Sequence, residues 1–514
     1  MRSIGLGHPP LWLDEANTVL IAWRDARGVV SALSHDGNPP LFYWLLHGWM
    51  AVFGSSEVAV RSLPALFGAA SLAAVYGAAR VFFPARRAVA LLAAALTAIG
   101  PLHLYYSREC RMYTLTPLIG VLALVALHRG LETGKPRYWV LHSALLVAGL
   151  YTHNYFLFVL PIAPLAALLS PGLPGGRWRA LVSAGAAAVA YAPWVPILAG
   201  QMRSGVNAWI PYFWIRTPPA AALLHSFEAM GVGGAFPSYL RALSLLQRTW
   251  PAPAAWSAAR VVGLALGAAL VTGGLVAALR REAERAAGIR IALLLVVPLV
   301  LPFAASFLMT PIYLVGRYEL IGLPAYALLA ARGFIALLDG AGRGRLAVGV
   351  AVAALWLACA ALCDSTYLRA LDQSELSDEK LPADWLRDNM RAGDAVILPG
   401  YTRGVPEYYL TRWRTPVRRL SFPPELEDHL GWFDYERALR DAPVTRQEAA
   451  SLAADGRGVL AAGHRLLLVV TSNTPPEIVA WLGEALQQQF GPPSLAYRQY
   501  PLRTFYIVAY GPSP

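Results

Sequence analysis

Residues 257–279 read SAARVVGLALGAALVTGGLVAAL, residues 280–288 read RREAERAAG, and residues 289–310 read IRIALLLVVPLVLPFAASFLMT. Two apolar runs thus flank a short loop that holds Arg280, Arg281 and Arg285. A helix of roughly 20 apolar residues spans a hydrocarbon core ~30 Å thick, so each run is long enough to cross a bilayer. Short loops rich in Lys and Arg stay on the cytoplasmic side, which orients the pair.

The same alternation extends outward in both directions. Ten apolar segments lie near 63–83, 88–105, 113–130, 138–152, 154–170, 180–200, 257–279, 289–310, 318–338 and 345–363. Arg86 and Arg87, then Arg129, Lys135 and Arg137, then Arg177 and Arg179, and finally Arg343 and Arg345 fall in every second connection. The expected fold class is an α-helical polytopic membrane protein with a small C-terminal α/β soluble domain. Hydrophobic residues make up 56% of the chain and charged residues 14%, as such a protein requires. Sidedness accounts for much of the net charge of +12, so the basic balance does not indicate nucleic-acid binding.

Three regions follow: an outer segment over 1–62, a transmembrane domain over 63–363 and an extracytoplasmic domain over 364–514. Ten crossings put both end regions outside. An outward amino terminus with no span before it leads to the expectation that a first helix is missing, through a misplaced start or a truncated gene model. Within 14–62, Ala16–Arg27 and Pro39–Phe53 carry Trp23, Trp44 and Trp49 and suit short helices in the membrane interface. The outer connection Arg203–Ala255, rich in aromatics and prolines, reads as a half-buried lid or a passive connector. In the tail, Asp394–Leu398, Arg465–Thr471 and Phe505–Tyr510 read as strands, with a helix over Pro475–Phe490. No glycine-rich phosphate loop follows those strands, which argues against a nucleotide site. Cys110, Cys359 and Cys363 imply no disulfide framework.

Five polar clusters fall on the outward face. They are Asp14-Glu15; His35-Asp36-Gly37-Asn38 with Tyr43 close behind; Ser107-Arg108-Glu109-Cys110-Arg111-Met112-Tyr113; Thr152-His153-Asn154-Tyr155; and Gly316-Arg317-Tyr318-Glu319. Each has a plain alternative. Asp14 is placed to cap a helix, the 35–40 run suits a turn, and the 107–113 run suits a solvated hairpin. Ionised groups at a membrane surface are costly unless used or solvated, and five such groups on one face point to a site. A carboxylate can serve as general base to a hydroxyl, while arginines bind phosphate oxygens and stabilise a leaving phosphate. That inventory describes transfer from a lipid-linked phosphate donor to a hydroxyl. His35, His103 and His153 with nearby carboxylates could bind zinc or another divalent metal, but none has tight ligand spacing, and hydrogen bonding is the simpler role.

Leu13-Asp14-Glu15-Ala16-Asn17-Thr18, Asn38-Pro39-Pro40-Leu41-Phe42-Tyr43, the 107–113 hairpin and Gly316-Arg317-Tyr318 together resemble the bacterial family-39-like glycosyltransferases. These belong to the GT-C membrane superfamily, alongside the protein O-mannosyltransferases and the lipid A aminoarabinose transferase. The resemblance covers roughly residues 8–340. It implies a polyprenyl-phosphate sugar donor, catalysis at the outer face of the bacterial cytoplasmic membrane, and an inverting single displacement onto a hydroxyl acceptor. On that resemblance Asp14 is the base, with Glu15 beside it, and Arg108, Arg111 and Arg317 are the donor-phosphate ligands. Tyr113 stands near the place where some relatives carry a second Asp, and the second acidic role passes to Glu109. His35, Asp36, Asn38, Tyr43, His153 and Tyr318 complete the candidate set; at Asn38 many relatives have Lys or His. Two other classes compete: a lipid-linked oligosaccharide polymerase or ligase, and a lipid or sugar transporter. Transporters show charges at the bilayer midplane and related halves, neither of which is visible in this sequence.

Overall fold

The structure, a computed structural model, describes residues 5–169, 176–203, 210, 219–233, 253–339, 342–372, 380–427, 435–471, 474–499 and 505–512. The side chains of 219–220, 253–255, 318, 364–372, 435–436 and 499 are outside that description. Most of the expected lid over 203–255 also lies outside the described residues.

Three short helices come first: α1 (Leu13–Ala22), α2 (Ala26–Leu33) and α3 (Leu41–Phe53). Asp25, and not Asp14, caps one of them by accepting the Gly28 N–H at 2.7 Å. The outer face of α3 exposes Trp44, Leu45, Val52 and Phe53, as a helix lying in a membrane interface would. Then follow α4 (Glu57–Phe82), α5 (Arg87–Ile99), α6 (Pro101–Tyr106), α7 (Leu115–Thr133), α8 (Pro136–Thr152) and α9 (Ile162–Leu168). The transmembrane part continues with α10 (Arg177–Tyr191), α11 (Val195–Arg203), α12 (Pro219–Val232), α13 (Pro253–Leu279), α14 (Glu282–Ala305), α15 (Leu323–Leu338) and α16 (Arg343–Asp372).

Among the described residues, seven helical stretches are long and apolar enough to cross a membrane: 57–82, 112–133, 177–203, 256–279, 282–305, 319–338 and 343–363. The protein is a multi-pass membrane protein. The other three expected segments are shorter or broken, each for a local reason. The 88–105 segment divides at Gly100 because Pro101 starts a new helix, α6. The 138–152 segment forms α8, of 17 residues, and ends where His153 turns to extended backbone. The 154–170 segment starts as a 3₁₀ turn over Asn154–Phe158 before α9.

The bundle has a clear inside. α7 and α15 are mostly buried, whereas α10 and α16 turn Leu181, Val182, Val189, Leu346, Val348 and Leu355 outward, where lipid would meet them. α13 crosses α15 at a pair of glycines. A Cβ on Gly333 would stand 1.9 Å from the Leu270 carbonyl oxygen, and one on Gly274 equally close to that of Leu329. Small residues allow such backbone approach between membrane helices. At one end of the bundle the arginine-rich connections meet. Arg86 donates to Glu284 at 2.8 Å and to Asp339 at 3.1 Å, and Arg332 donates to Glu284 at 2.7 Å.

The C-terminal domain is a five-stranded sheet with helices α17 (Leu381–Asn389), α18 (Gly404–Arg412), α19 (Tyr435–Arg440), α20 (Ala442–Asp455), α21 (Arg457–Ala461) and α22 (Pro476–Phe490). Its strands are β1 (Ala395–Pro399), β2 (Arg418–Phe422), β3 (Leu466–Val470), β4 (Ser494–Gln499) and β5 (Phe505–Tyr510), in the order β2-β1-β3-β5-β4. β2 and β3 pair parallel with β1, while β5 runs antiparallel to β3 and β4 to β5. Every residue of β1 and β3 is buried, as parallel strands covered on both faces must be. The three expected strands and the helix from Pro476 are present; the two edge strands β2 and β4, with their mixed polar sequences, carry no such apolar signal.

Candidate active site

Two successive acidic positions of α1 point different ways. Glu15, 1% exposed, faces α4 and accepts from Arg61 Nε at 2.8 Å and from Arg61 Nη2 at 2.5 Å. Its Oε1 also accepts the Cys110 N–H at 2.8 Å, which fixes the 107–113 hairpin against α1. Arg61 uses its remaining donors on the Leu6, Pro9 and Pro10 carbonyls. Glu15 is therefore fully engaged in a buried bidentate pair, and its place is that of an anchor.

Asp14 faces the opposite way, into the polar centre. Its Oδ2 lies 3.5 Å from Arg317 Nη1. Thr18, one turn on, donates to the Asp14 carbonyl at 2.7 Å and accepts from Arg111 Nη1 at 2.8 Å. Both guanidinium groups sit over the ring of Tyr113, Arg317 at 5.4 Å and Arg111 at 5.7 Å from its centroid. Tyr113 packs edge-on against Tyr106, whose hydroxyl donates to the Gly316 carbonyl at 2.6 Å. Glu319 accepts the Gly316 and Arg317 N–H groups at 2.5 and 2.9 Å, so the turn that presents Arg317 is itself pinned. Two cations around one aromatic ring, beside one carboxylate, make a ready cradle for an anion.

Glu109 is the second acid of this centre. It is 4% exposed, and neither carboxylate oxygen finds a hydrogen-bond partner among the described residues. Burial pushes its carboxyl up to about 8, with Arg317 opposing and Glu15 and Asp14 adding to the rise. At neutral pH Glu109 is a carboxylic acid able to donate a hydrogen bond. Asp36 is also raised by burial, with Arg111 as its main opposing charge. Its Oδ1 accepts from the Gly37 N–H and from Asn38 Nδ2, so Asn38 serves the turn. Tyr43, buried on α3, is raised chiefly by burial and next by Asp36. His153 is held neutral: burial, then Arg111 and Arg317, lowers it to about 3, and its Nδ1 accepts the Tyr155 N–H at 3.1 Å.

The structure thus gathers Asp14, Asp36, Tyr43, Glu109, Arg111, Tyr113, His153 and Arg317. It does not gather all the sequence candidates. Arg108 is half-buried and reaches outward to the Gly5 carbonyl at 3.3 Å. His35 is exposed and bonds to Ser31 and Ser34 of its own neighbourhood. Of Tyr318 only the backbone is described, as the start of a 3₁₀ turn. Among the described residues no three His, Cys, Asp or Glu side chains gather closely enough to hold a metal ion.

Sequence reasoning missed Arg61 and gave Thr18, Glu319 and Asn154 no role of their own. Arg61 was hidden at the start of an apolar run, although an arginine on a buried membrane helix is itself a signal. Thr18 and Glu319 lie inside motifs already singled out. Asn154, from the 152–155 cluster, donates to the Gly37 carbonyl at 3.0 Å and accepts from the Tyr191 hydroxyl at 2.7 Å, which braces the Asp36 turn.

A model of the family described as dolichyl-phosphate-mannose-protein mannosyltransferase matches residues 37–199. No curated protein matches the chain in sequence. Among solved structures the chain is similar to ArnT from Cupriavidus metallidurans bound to undecaprenyl phosphate, with a TM-score of 0.57 and 15% identity, over 99% of this chain and 96% of that one. The same protein in the apo state gives a TM-score of 0.54 and 14% identity, over 98% and 94%. The apo oligosaccharyltransferase from Archaeoglobus fulgidus gives a TM-score of 0.50 and 12% identity, over 96% of this chain and 72% of that one.

Proposed function

With an ArnT-like GT-C fold as the frame, we propose that the protein is a glycosyltransferase that moves a sugar from a polyprenyl-phosphate donor to a hydroxyl acceptor. The site faces outward from the bacterial cytoplasmic membrane, the side opposite the arginine-rich loops. The observation that carries this reading is the meeting of Asp14 with Arg111 and Arg317 around Tyr113. One of the similar structures is bound to undecaprenyl phosphate, an anionic lipid of the kind such a cradle would grip.

In the proposed reaction the acceptor oxygen attacks the anomeric carbon directly while the bond to the phosphate oxygen breaks. The hydroxyl proton passes to Asp14, and the electron pair leaves with polyprenyl phosphate. Attack from the face opposite the leaving group inverts the anomeric centre without a covalent intermediate, as in inverting glycosidases. Arg111 and Arg317 stabilise the charge that grows on the leaving phosphate. Arg317 lies 3.5 Å from Asp14. A donor phosphate would draw Arg317 to itself and release the carboxylate to act as base. Glu109, protonated at neutral pH, is suited to donate a hydrogen bond to a phosphate oxygen rather than to take a proton.

The test is an assay of the purified full-length chain in lipid nanodiscs. It uses undecaprenyl phosphate carrying a radiolabelled hexose, with envelope extract as acceptor. Release of undecaprenyl phosphate, reduced ~10²–10⁴-fold in Asp14→Asn, is the expected outcome. Movement of intact donor across a vesicle bilayer without release would instead make the protein a transporter.

A further inference from the structure

Among the described residues, the soluble domain approaches the site with helix α18, which lies along α1. At its start Gly404 packs so closely that a Cβ there would stand 2.5 Å from Asn17 Oδ1 and 2.9 Å from Leu13 Cδ1. Leu13 and Asn17 form the stripe of α1 adjacent to Asp14. The cap position of α1, Trp12, makes no side-chain cap bond. The buried Leu11 N–H just ahead of it instead donates to the Tyr409 hydroxyl at 3.1 Å, across 398 positions of sequence. A buried amide needs an acceptor, and here a second domain supplies it. Beyond the far end of α1, Trp23 stacks on Tyr408, with ring centroids 5.7 Å apart and planes 18° apart. Tyr408 donates to the Ser55 carbonyl at 2.8 Å, and Arg412 pairs with Glu57 at 2.5 Å, which ties α18 to the start of α4 as well. α1 is thus held by Arg61 through Glu15, by Arg111 through Thr18, and by α18.

We propose that α18 positions Asp14 for proton abstraction, with Tyr409 as a positioning residue, so that the soluble domain is part of the catalytic unit. This rests on the transferase reading above. The physical ground is geometric: a base must be held within a fraction of an ångström of its working place, and a shift of about 1 Å costs up to ~10²-fold in rate. Tyr409 touches neither donor nor acceptor in this scheme; it acts through the backbone of residues 11–14.

Tyr409→Phe in the full-length chain tests this, read by kcat per donor-binding site, by donor KM, and by amide hydrogen exchange over residues 11–18. The expected result is a kcat lower by about tenfold, as the buried Leu11 amide loses its acceptor and Glu57 loses the Tyr409 hydroxyl. Donor KM stays within about a factor of two, and exchange rises at 11–18 while α7 is unchanged. Arg457→Ala, on the exposed surface of the soluble domain, leaves all three readings at wild-type values. If Tyr409→Phe does not fold, Gly404→Ala presses on the same stripe and is read in the same way. Wild-type kcat and wild-type exchange would overturn the proposal. So would exchange rising equally across α7, or kcat falling only in step with lost donor binding, since both mark a general structural role. If the wild-type chain transfers no sugar, the transferase reading fails by itself, and exchange at 11–18 still decides whether α18 holds α1.

Discussion

Glu109 and Glu15 show how neighbouring acids take different roles from their surroundings. Glu15 has two guanidinium nitrogens and an amide; Glu109 has no hydrogen bond among the described residues. For Glu109 the sign of the pH effect follows from its raised carboxyl, about 8 against an ordinary 4.5. The folded state holds the proton that the unfolded chain has released. Its contribution to stability is complete below about pH 4.5 and is lost as pH rises through about 8. Transfer is expected to decline over the same upper limb, because the hydrogen-bond donor disappears. Glu109→Gln keeps a donor without a titration, so its rate profile should be flat between pH 7 and 9, as initial rates would show. A wild-type profile rising through pH 8 would assign Glu109 to base catalysis instead. For the anchor, Arg61→Met leaves Glu15 buried and unpaired and should cost about 3–5 kcal/mol, read as a lowered thermal midpoint of the detergent-solubilised protein. The motifs around Asp14, the 107–113 hairpin and Gly316-Arg317 were legible in the sequence because charges at a membrane face stand out. Which acid is the anchor was not legible, since Arg61 sits in another helix and only packing brings it to Glu15.

At the scale of elements, apolar length decided which segments form long helices, and proline and hydrogen bonding decided where they stop. Gly100-Pro101 and the extended His153 cut two expected spans short, and both breaks border the site. The hairpin with Glu109 and Arg111 follows the first break, and the brace at Asn154 follows the second. Helix breaks in a membrane are tolerated where protein surrounds them, which is the case at buried Leu102, His103 and Tyr155. The strands β2 and β4 escaped notice because edge strands need no continuous apolar run. The glycine crossing of α13 and α15 makes its own prediction. Gly333→Ala should destabilise the bundle by about 1–3 kcal/mol or more, since its Cβ would meet a backbone carbonyl. Gly273→Ala, with open space around it, should be neutral. Fluorescence-detected size exclusion after graded heating distinguishes the two.

At the scale of the molecule, charge is sorted between two ends. Arg86, Arg332, Glu284 and Asp339 interlock at one, and Asp14, Glu109, Arg111 and Arg317 meet at the other. Alternate loops had to meet in this way if the arginine pattern marks topology, and the sequence alone carried that much. It could not show that a helix of the soluble domain would close over α1, because nothing in Gly404–Arg412 signals its partner across hundreds of residues. The central claim is that a donor phosphate seats on two guanidinium groups. Binding of undecaprenyl phosphate to the purified full-length chain in nanodiscs tests it directly, with undecaprenol, which lacks the phosphate, as the comparison ligand. In the Arg111→Met, Arg317→Met double variant the account expects affinity for undecaprenyl phosphate to fall by about 10²-fold or more, with binding of undecaprenol unchanged. Equal affinity of the wild-type and double-variant proteins for undecaprenyl phosphate would contradict it.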